Sequence, residues 1–347
     1  MSKIRIVNWL LTRKCNLNCD YCAIVKNYIE KPSVYPDMSY YIKNEMSTEV
    51  IINGLKLLKQ HNSNIFNIFY GGEPMLRNDL PEIIKFCNEN EIFYTIISNN
   101  TPEVQPLIKK LFDKVGYVEG FTSSVDPMAN DLNLKESRVI KSIEGLKRLK
   151  EIQAKGLVKD VVAEITVMKS NAHNLHNLVS TLSKDEIYSD ITFVDIAKSQ
   201  YYDFSNITDK NILVKQEDIA KILLDIMNDK KLLVHMKETL FPIMFYSLPS
   251  EFDCKLEDGI HNITIDADGS LRLCIRIRGI FLPNQINLSN IFDKEDISTV
   301  SKYFYDLLCL EKKNLCKLCN HSCLMMSQYI DNNEYGVSSL VHLDKRS

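Results

Sequence analysis

Residues 4–22 read Ile4-Arg-Ile-Val-Asn-Trp-Leu-Leu11-Thr-Arg-Lys-Cys15-Asn-Leu-Asn-Cys19-Asp-Tyr-Cys22. An apolar, β-prone run stops, and three cysteines follow with three and then two residues between them. The same punctuation recurs downstream without cysteines. The run 65–70 leads into Gly71-Gly72-Glu73-Pro74, and the run 92–97 into Ser98-Asn99-Asn100. The run 118–125 carries Ser123 and Ser124 at its end, with Asp126 just beyond. Two more strand-like runs cover 161–168 and 191–197. Helical patterns fall between them at 48–60 (with Ser47 as N-cap), 80–88, 104–114, 135–155 and 175–182. Six β-α repeats in succession predict a parallel sheet. An open doubly wound sheet gathers its ligand groups in one crevice. Polar clusters at four consecutive strand ends instead fit the mouth of a barrel. The expected fold class is α/β: a partial (β/α)6 TIM-like barrel with a small C-terminal cysteine-rich α+β extension.

Composition sets the outer limits. A chain of 347 residues has room for about two domains. The expected divisions are a barrel at 1–210, a helical linker at 211–250, a cysteine-rich domain at 251–330 and a tail at 331–347. Lys and Arg number 42 against 45 Asp and Glu, a formal charge of −3, so no general nucleic-acid binding is expected from net charge. Neither a run of about 18 apolar residues nor a cleavable signal is present, so no membrane association and a cytoplasmic location are expected. In that compartment ten clustered cysteines point to metal rather than disulfides. Cys15, Cys19 and Cys22 form one group. Cys254, Cys274, Cys309, Cys316, Cys319 and Cys323 form another, and Cys87 stands apart in an apolar helix as an expected buried thiol.

A structural zinc site wants four ligands, usually from two paired arms. Three thiolates on one short loop can instead hold three irons of a [4Fe–4S] cube and leave the fourth iron open. Both chemistries fit the residues alone. The spacing, with Tyr21 before the third cysteine, closely resembles the radical S-adenosylmethionine (radical SAM) superfamily. The resemblance continues in order over roughly residues 1–200. It implies that Cys15, Cys19 and Cys22 carry the SAM-binding cluster and that Tyr21 shields it. It further implies that Gly71, Gly72, Glu73 and Pro74 hold the methionine amino group of SAM. Ser98 and Asn99, and then Ser124 and Asp126, resemble the family's polar pairs near the SAM carboxylate and ribose. Glu offers an acceptor to an ammonium, and two Gly allow a close backbone approach.

Cys254-x14-Gly269-x4-Cys274, with Cys316-x2-Cys319-x3-Cys323 following, resembles the SPASM and twitch extensions of radical SAM enzymes. The resemblance implies one auxiliary [4Fe–4S] cluster, with Cys254 and Cys274 as ligands and the remainder drawn from Cys316, Cys319 and Cys323. A structural zinc held by four thiolates is the other reading of this group. Cys309 is expected as a buried thiol, and His321 lies between two of the cysteines. Residues 263–265 and 271–274 read as a hairpin with Asp268-Gly269 in its turn, and helices are expected at 216–228 and 232–238. Glu164 and Thr166, on one side of the fifth strand, and Asp195 on the sixth are candidate substrate contacts.

The implied function is reductive cleavage of SAM to a 5′-deoxyadenosyl radical that abstracts hydrogen from a substrate carbon. The implied substrate is a peptide or protein, as in maturation of ribosomally made peptides. A small molecule such as an aminosugar or nucleotide is the alternative, and a zinc-stabilised binding protein is the alternative from another class. No leader-binding module is read ahead of the first strand, which counts against a peptide. A flavodoxin- or ferredoxin-type electron donor is the expected partner. The sequence names no catalytic acid, base or hydrogen donor.

Overall fold

β1 (Ile6–Thr12) is buried along its whole length. Both faces are covered, as a central strand of a parallel sheet requires. The computed structural model describes residues 6–19, 21, 22, 24, 42–125, 138–193, 214, 216–235, 262–269, 271 and 272. Among these residues the other main elements are α1 (Thr48–His61), β2 (Phe66–Gly71), α2 (Leu80–Glu89), β3 (Phe93–Ser98), α3 (Gln105–Val115), β4 (Val118–Ser124), α4 (Arg138–Ala154), β5 (Val158–Val167), α5 (Leu175–Lys184), β6 (Tyr188–Phe193), α6 (Gln216–Asn228), β7 (Asn262–Ile265) and β8 (Leu271–Arg272), with single helical turns at Pro74–Leu76 and Lys169–Ala172.

The strand order is β6-β5-β4-β3-β2-β1-β7-β8. From β1 to β6 each strand lies beside the next in sequence, with helices between them. That is the singly wound order of a partial (β/α)6 barrel, and it has no switch point of the doubly wound kind. The α/β expectation is borne out.

The described residues fall into two compact units, which divide within β3. In the first, β1 pairs in parallel with β2 on one edge and with β7 on the other, Ile6 to Trp9 lying opposite Asn262 to Ile265. The hairpin thus forms as expected, and it also extends the main sheet. One face carries an aromatic row in which the Trp9 and Phe69 rings stand 6.5 Å apart and the Phe69 and Tyr94 rings 5.7 Å apart. The Trp9 indole donates to Asn67 Oδ1 at 2.9 Å, so its one polar atom is satisfied. α1 starts at Ser47, whose hydroxyl accepts from the Val50 amide, and buries Ile51, Leu55 and Leu58. α2 buries Leu80, Ile83, Ile84 and Cys87. Cys87 is the buried thiol expected of it, and burial pushes its pKa up.

In the second unit β4, β5 and β6 pair in parallel. α4 packs on β4 and β5, and α5 packs on β6. β5 and β6 alternate: Val161, Ala163, Ile165, Val167, Ser189, Ile191 and Phe193 are buried while their neighbours are half-buried. The expected helix at 232–238 is not formed over its described residues. Val234 instead bridges Ser189 in parallel, with the Ser189 amide donating to Leu233 O and the His235 amide to Ser189 O. A run rich in Leu and Val satisfied the β6 edge rather than itself.

Candidate functional site

In the first unit, β1 delivers Thr12-Arg13-Lys14 and then the cysteines. The glycine segment after β2 lies directly against this root. The Gly72 amide donates to Thr12 O at 2.8 Å and the Glu73 amide to Lys14 O at 2.8 Å. A β-carbon on Gly71 would stand 2.3 Å from Thr12 O, and one on Gly72 would stand 2.2 Å from Lys14 O. Only glycine lets the two backbones approach this closely. Here, then, is a role for both glycines in the protein itself: they join the end of β2 to the start of the cysteine loop.

Glu73 is fully buried, and its carboxylate accepts from the Met75 amide at 3.0 Å. It thereby caps a single 3₁₀ turn at Pro74–Leu76, with Pro74 buried at its start. The same carboxylate acts electrostatically on Cys15.

Cys15, Cys19, Cys22 and Tyr21 are half-buried. The Cys22 amide donates to Cys19 O at 3.0 Å, and the Leu17 amide donates to Cys15 Sγ at 3.4 Å. Burial pushes the Cys15 thiol up to about 11; the Leu17 hydrogen bond opposes this, and Glu73, Cys22 and Cys19 raise it further. Burial and the neighbouring carboxylate and thiols keep the Cys15 proton on, so it serves as a thiolate ligand only where a cationic centre displaces that proton. Among the described residues no three His, Cys, Asp or Glu side chains gather around a single ion. A cubane asks for one thiolate per iron instead, and the loop offers three.

Two contacts here were not legible beforehand. Arg13 and Asp266 form a fully buried ion pair, with Arg13 Nε donating to Asp266 Oδ1 at 3.0 Å and a second bond from Nη2 to Oδ2. Thr12 donates through Oγ1 to Glu45 at 2.6 Å, and the Lys14 amide donates back to Thr12 Oγ1 at 3.1 Å.

The second unit carries the other predicted polar groups. Ser98 Oγ accepts from the Asn100 amide and Asn99 Oδ1 from the Thr101 amide, each two residues on, so both side chains shape their own turn. Asn100 was the more informative residue of the three. It is buried, adopts φ 47°, and donates to Ser123 Oγ at 3.1 Å. Asparagine tolerates that left-handed backbone, which was the available signal. Ser124, Glu164 and Asp190 sit opposite one another across β4, β5 and β6, and Thr166 sits opposite Thr192. All of these residues are half-buried, and Glu164 and Thr166 lie on one side of β5 as expected. His235 Nδ1 is 3.0 Å from Asp190 Oδ1. Asp126, Asp195, Cys254, Cys274, Cys309, Cys316, Cys319, His321 and Cys323 lie outside the described residues.

Comparison with known proteins places this geometry. The chain is 33% identical over 106 residues to Fe-coproporphyrin III synthase of Methanosarcina barkeri, covering 30% of this chain and 24% of that one. It is 24% identical over 212 residues to PqqA peptide cyclase of Granulibacter bethesdensis, covering 60% of this chain and 51% of that one. It is 22% identical over 312 residues to GTP 3',8-cyclase of Clostridium botulinum, covering 88% and 90%. The chain therefore spans about a quarter and half of the first two relatives and nearly all of the third. Among solved structures, Streptococcus suis SuiB bound to precursor peptide SuiA is similar with a TM-score of 0.57 at 16% identity, over 99% of this chain and 77% of that one. Native anSMEcpe with bound AdoMet and Cp18Cys peptide is similar with a TM-score of 0.52 at 15% identity, over 98% of each chain. The family model of the Radical SAM superfamily matches residues 9–182, from the strand that leads into the three cysteines to α5, and the chain belongs to that superfamily.

Proposed function

We propose that this chain is a radical SAM enzyme that modifies a peptide or protein. Membership in the family implies S-adenosylmethionine and a [4Fe–4S] cluster. Held there, the cluster would supply the one electron that cleaves SAM to methionine and a 5′-deoxyadenosyl radical, the species that would take hydrogen from a substrate carbon. Cys15, Cys19 and Cys22 would hold three irons, and Tyr21 would cover the loop. The Glu73 carboxylate and the backbone at Gly71 and Gly72 would meet the methionine ammonium. Ser98, Asn99, Ser124 and Asp126 would serve the rest of SAM. The residues at 251–330 would carry one auxiliary [4Fe–4S] cluster, with ligands from Cys254, Cys274, Cys316, Cys319 and Cys323. An external flavodoxin- or ferredoxin-type protein would supply the electron.

The observation that carries the peptide reading is the extent of the likeness to anSMEcpe, which runs the length of both chains and belongs to a protein described with a bound peptide. The hairpin that carries Gly269 fits the Gly-x4-Cys pattern ahead of Cys274 and supports the auxiliary-cluster part of the proposal, not the choice of substrate. A nucleotide substrate is the second reading, favoured by the alignment across 90% of GTP 3',8-cyclase.

Deuterium transfer separates the two. Reduced, SAM-loaded enzyme is incubated with perdeuterated peptide made from a precursor gene adjoining its own, or with deuterated GTP. Mass spectrometry then reads deuterium in 5′-deoxyadenosine. Label from peptide alone is expected; label from GTP alone would replace the peptide reading with the nucleotide one.

A further inference from the structure

The root of the cysteine loop is held from several directions within the first unit. The glycine segment binds its backbone through Gly72 and Glu73, and Glu45 holds Thr12. The third attachment comes from residues 253 positions away: Asp266, at the end of β7, takes the Arg13 guanidinium in a two-bond pair with both side chains fully buried. Asp266 is itself fixed. Its Oδ1 also accepts from the Ala267 amide at 2.7 Å, and its carbonyl accepts from Gly269 at 2.8 Å. The neighbouring Ala267 O accepts from the Met46 amide at 2.7 Å, while Arg77 donates to both Met46 O and Leu11 O. The hairpin is thus stitched to β1 along its edge and at its turn.

A guanidinium buried beside a loop of thiols can take one orientation only when a carboxylate fork meets it. Arg13 is two residues from Cys15, so its direction sets where the loop departs from β1. We infer that Asp266 is a positioning residue for the cofactor loop, coupling the hairpin between Cys254 and Cys274 to Cys15 through Arg13. This rests on the cysteine loop being the SAM-binding loop, as proposed above, and not on the identity of the substrate. The barrel residues then do not complete the cofactor site without the hairpin that follows residue 261.

The test uses the full chain, reconstituted anaerobically with iron and sulfide and reduced, as wild type, Asp266→Asn and Asp266→Ala. Electron paramagnetic resonance of the reduced cluster is recorded while SAM is titrated, and circular dichroism follows folding. Partners that orient metal ligands typically carry tenfold to a hundredfold in affinity. Asp266→Ala is expected to weaken SAM binding about tenfold or more and to change the SAM-dependent spectrum while the chain stays folded. Asp266→Asn keeps the shape and one acceptor but not the charge, and falls between. A purely structural role would leave the folded fraction with the wild-type spectrum. Both variants within twofold of wild type in SAM affinity, with unchanged spectra, would overturn the inference. So would an Asp266→Asn chain that does not fold. A wild-type chain whose spectrum ignores SAM would remove the cofactor reading itself, and this inference with it.

Discussion

The Glu73 amide donates to the Lys14 carbonyl at 2.8 Å, one residue before the first cysteine. The ends of β1 and β2 are therefore one structure. The segment proposed to hold the methionine end of SAM also fixes the take-off of the loop proposed to hold the cluster. A change in either should be felt in both.

Gly72→Ala is the direct probe. The new β-carbon would stand 2.2 Å from Lys14 O and 2.9 Å from Arg13 O, both backbone atoms that cannot swing aside. Overpacking of this kind costs about 1–3 kcal/mol. The expected result is a folded chain with a lower melting temperature and reduced iron loading. Wild-type iron content and SAM cleavage in Gly72→Ala would show that the loop does not depend on this contact.

Glu73→Gln separates two jobs of one side chain. The amide oxygen of Gln can still accept from Met75, so the 3₁₀ cap should survive. The charge is lost. If the carboxylate meets an ammonium, SAM affinity should fall by about 1.5–3 kcal/mol, or roughly tenfold to a hundredfold, with stability nearly unchanged. Unchanged affinity, measured by calorimetry on the reconstituted protein, would leave Glu73 as a cap alone.

How much of this could be read from sequence depends on range. The β-α alternation rests on local periodicity, so the strands through β6 were legible to within a few residues. So was the hairpin, because Asp268-Gly269 is a local turn signal. That β7 would pair with β1 was not, since nothing in Asn262–Ile265 names its neighbour. Arg13 and Asp266 were invisible for the same reason: each is an ordinary polar residue until the fold buries them together. The glycines at 71 and 72 were found, but the partner of their close approach includes the chain's own Thr12 and Lys14. Residues 232–235 misled because Leu-Leu-Val suits a helix or an edge strand, and the open edge of β6 decided.

The β6 edge predicts a pH effect. Burial pulls the His235 pKa down, but the Asp190 hydrogen bond and the charges of Asp190 and Asp160 outweigh it and leave it raised above 6.5. Burial raises the Asp160 carboxyl to about 6, with Lys159 opposing and Glu119 adding. A raised histidine contributes fully below about pH 6.5 and loses that contribution as pH climbs through its folded value. A raised carboxyl adds a penalty as pH climbs from about 4 to 6. Both push the same way, so the 232–235 edge should open more readily at pH 8 than at pH 5.5. Amide exchange at Ser189 and His235, corrected for intrinsic rates, reads this. His235→Gln should flatten the dependence above pH 6.5, and a steeper one would reverse the assignment.

The auxiliary centre gives the prediction with most at stake. With four irons per cubane, the reconstituted chain should hold about eight. Replacing Cys15, Cys19 and Cys22 together by Ala should leave about four, because the second group of cysteines has its own ligands. Cys254→Ala should do the reverse, keeping the SAM-responsive signal and losing the other. The ligand count also bears on mechanism. Four protein thiolates close the cubane and suit it to accept an electron from a substrate radical, whereas three leave an iron open to bind substrate. Mössbauer spectra of the triple variant distinguish these, since an iron without a thiolate differs from its three partners. About four irons and one zinc in the wild-type chain would make the C-terminal cysteines a structural site, and the electron left on the substrate would need another acceptor.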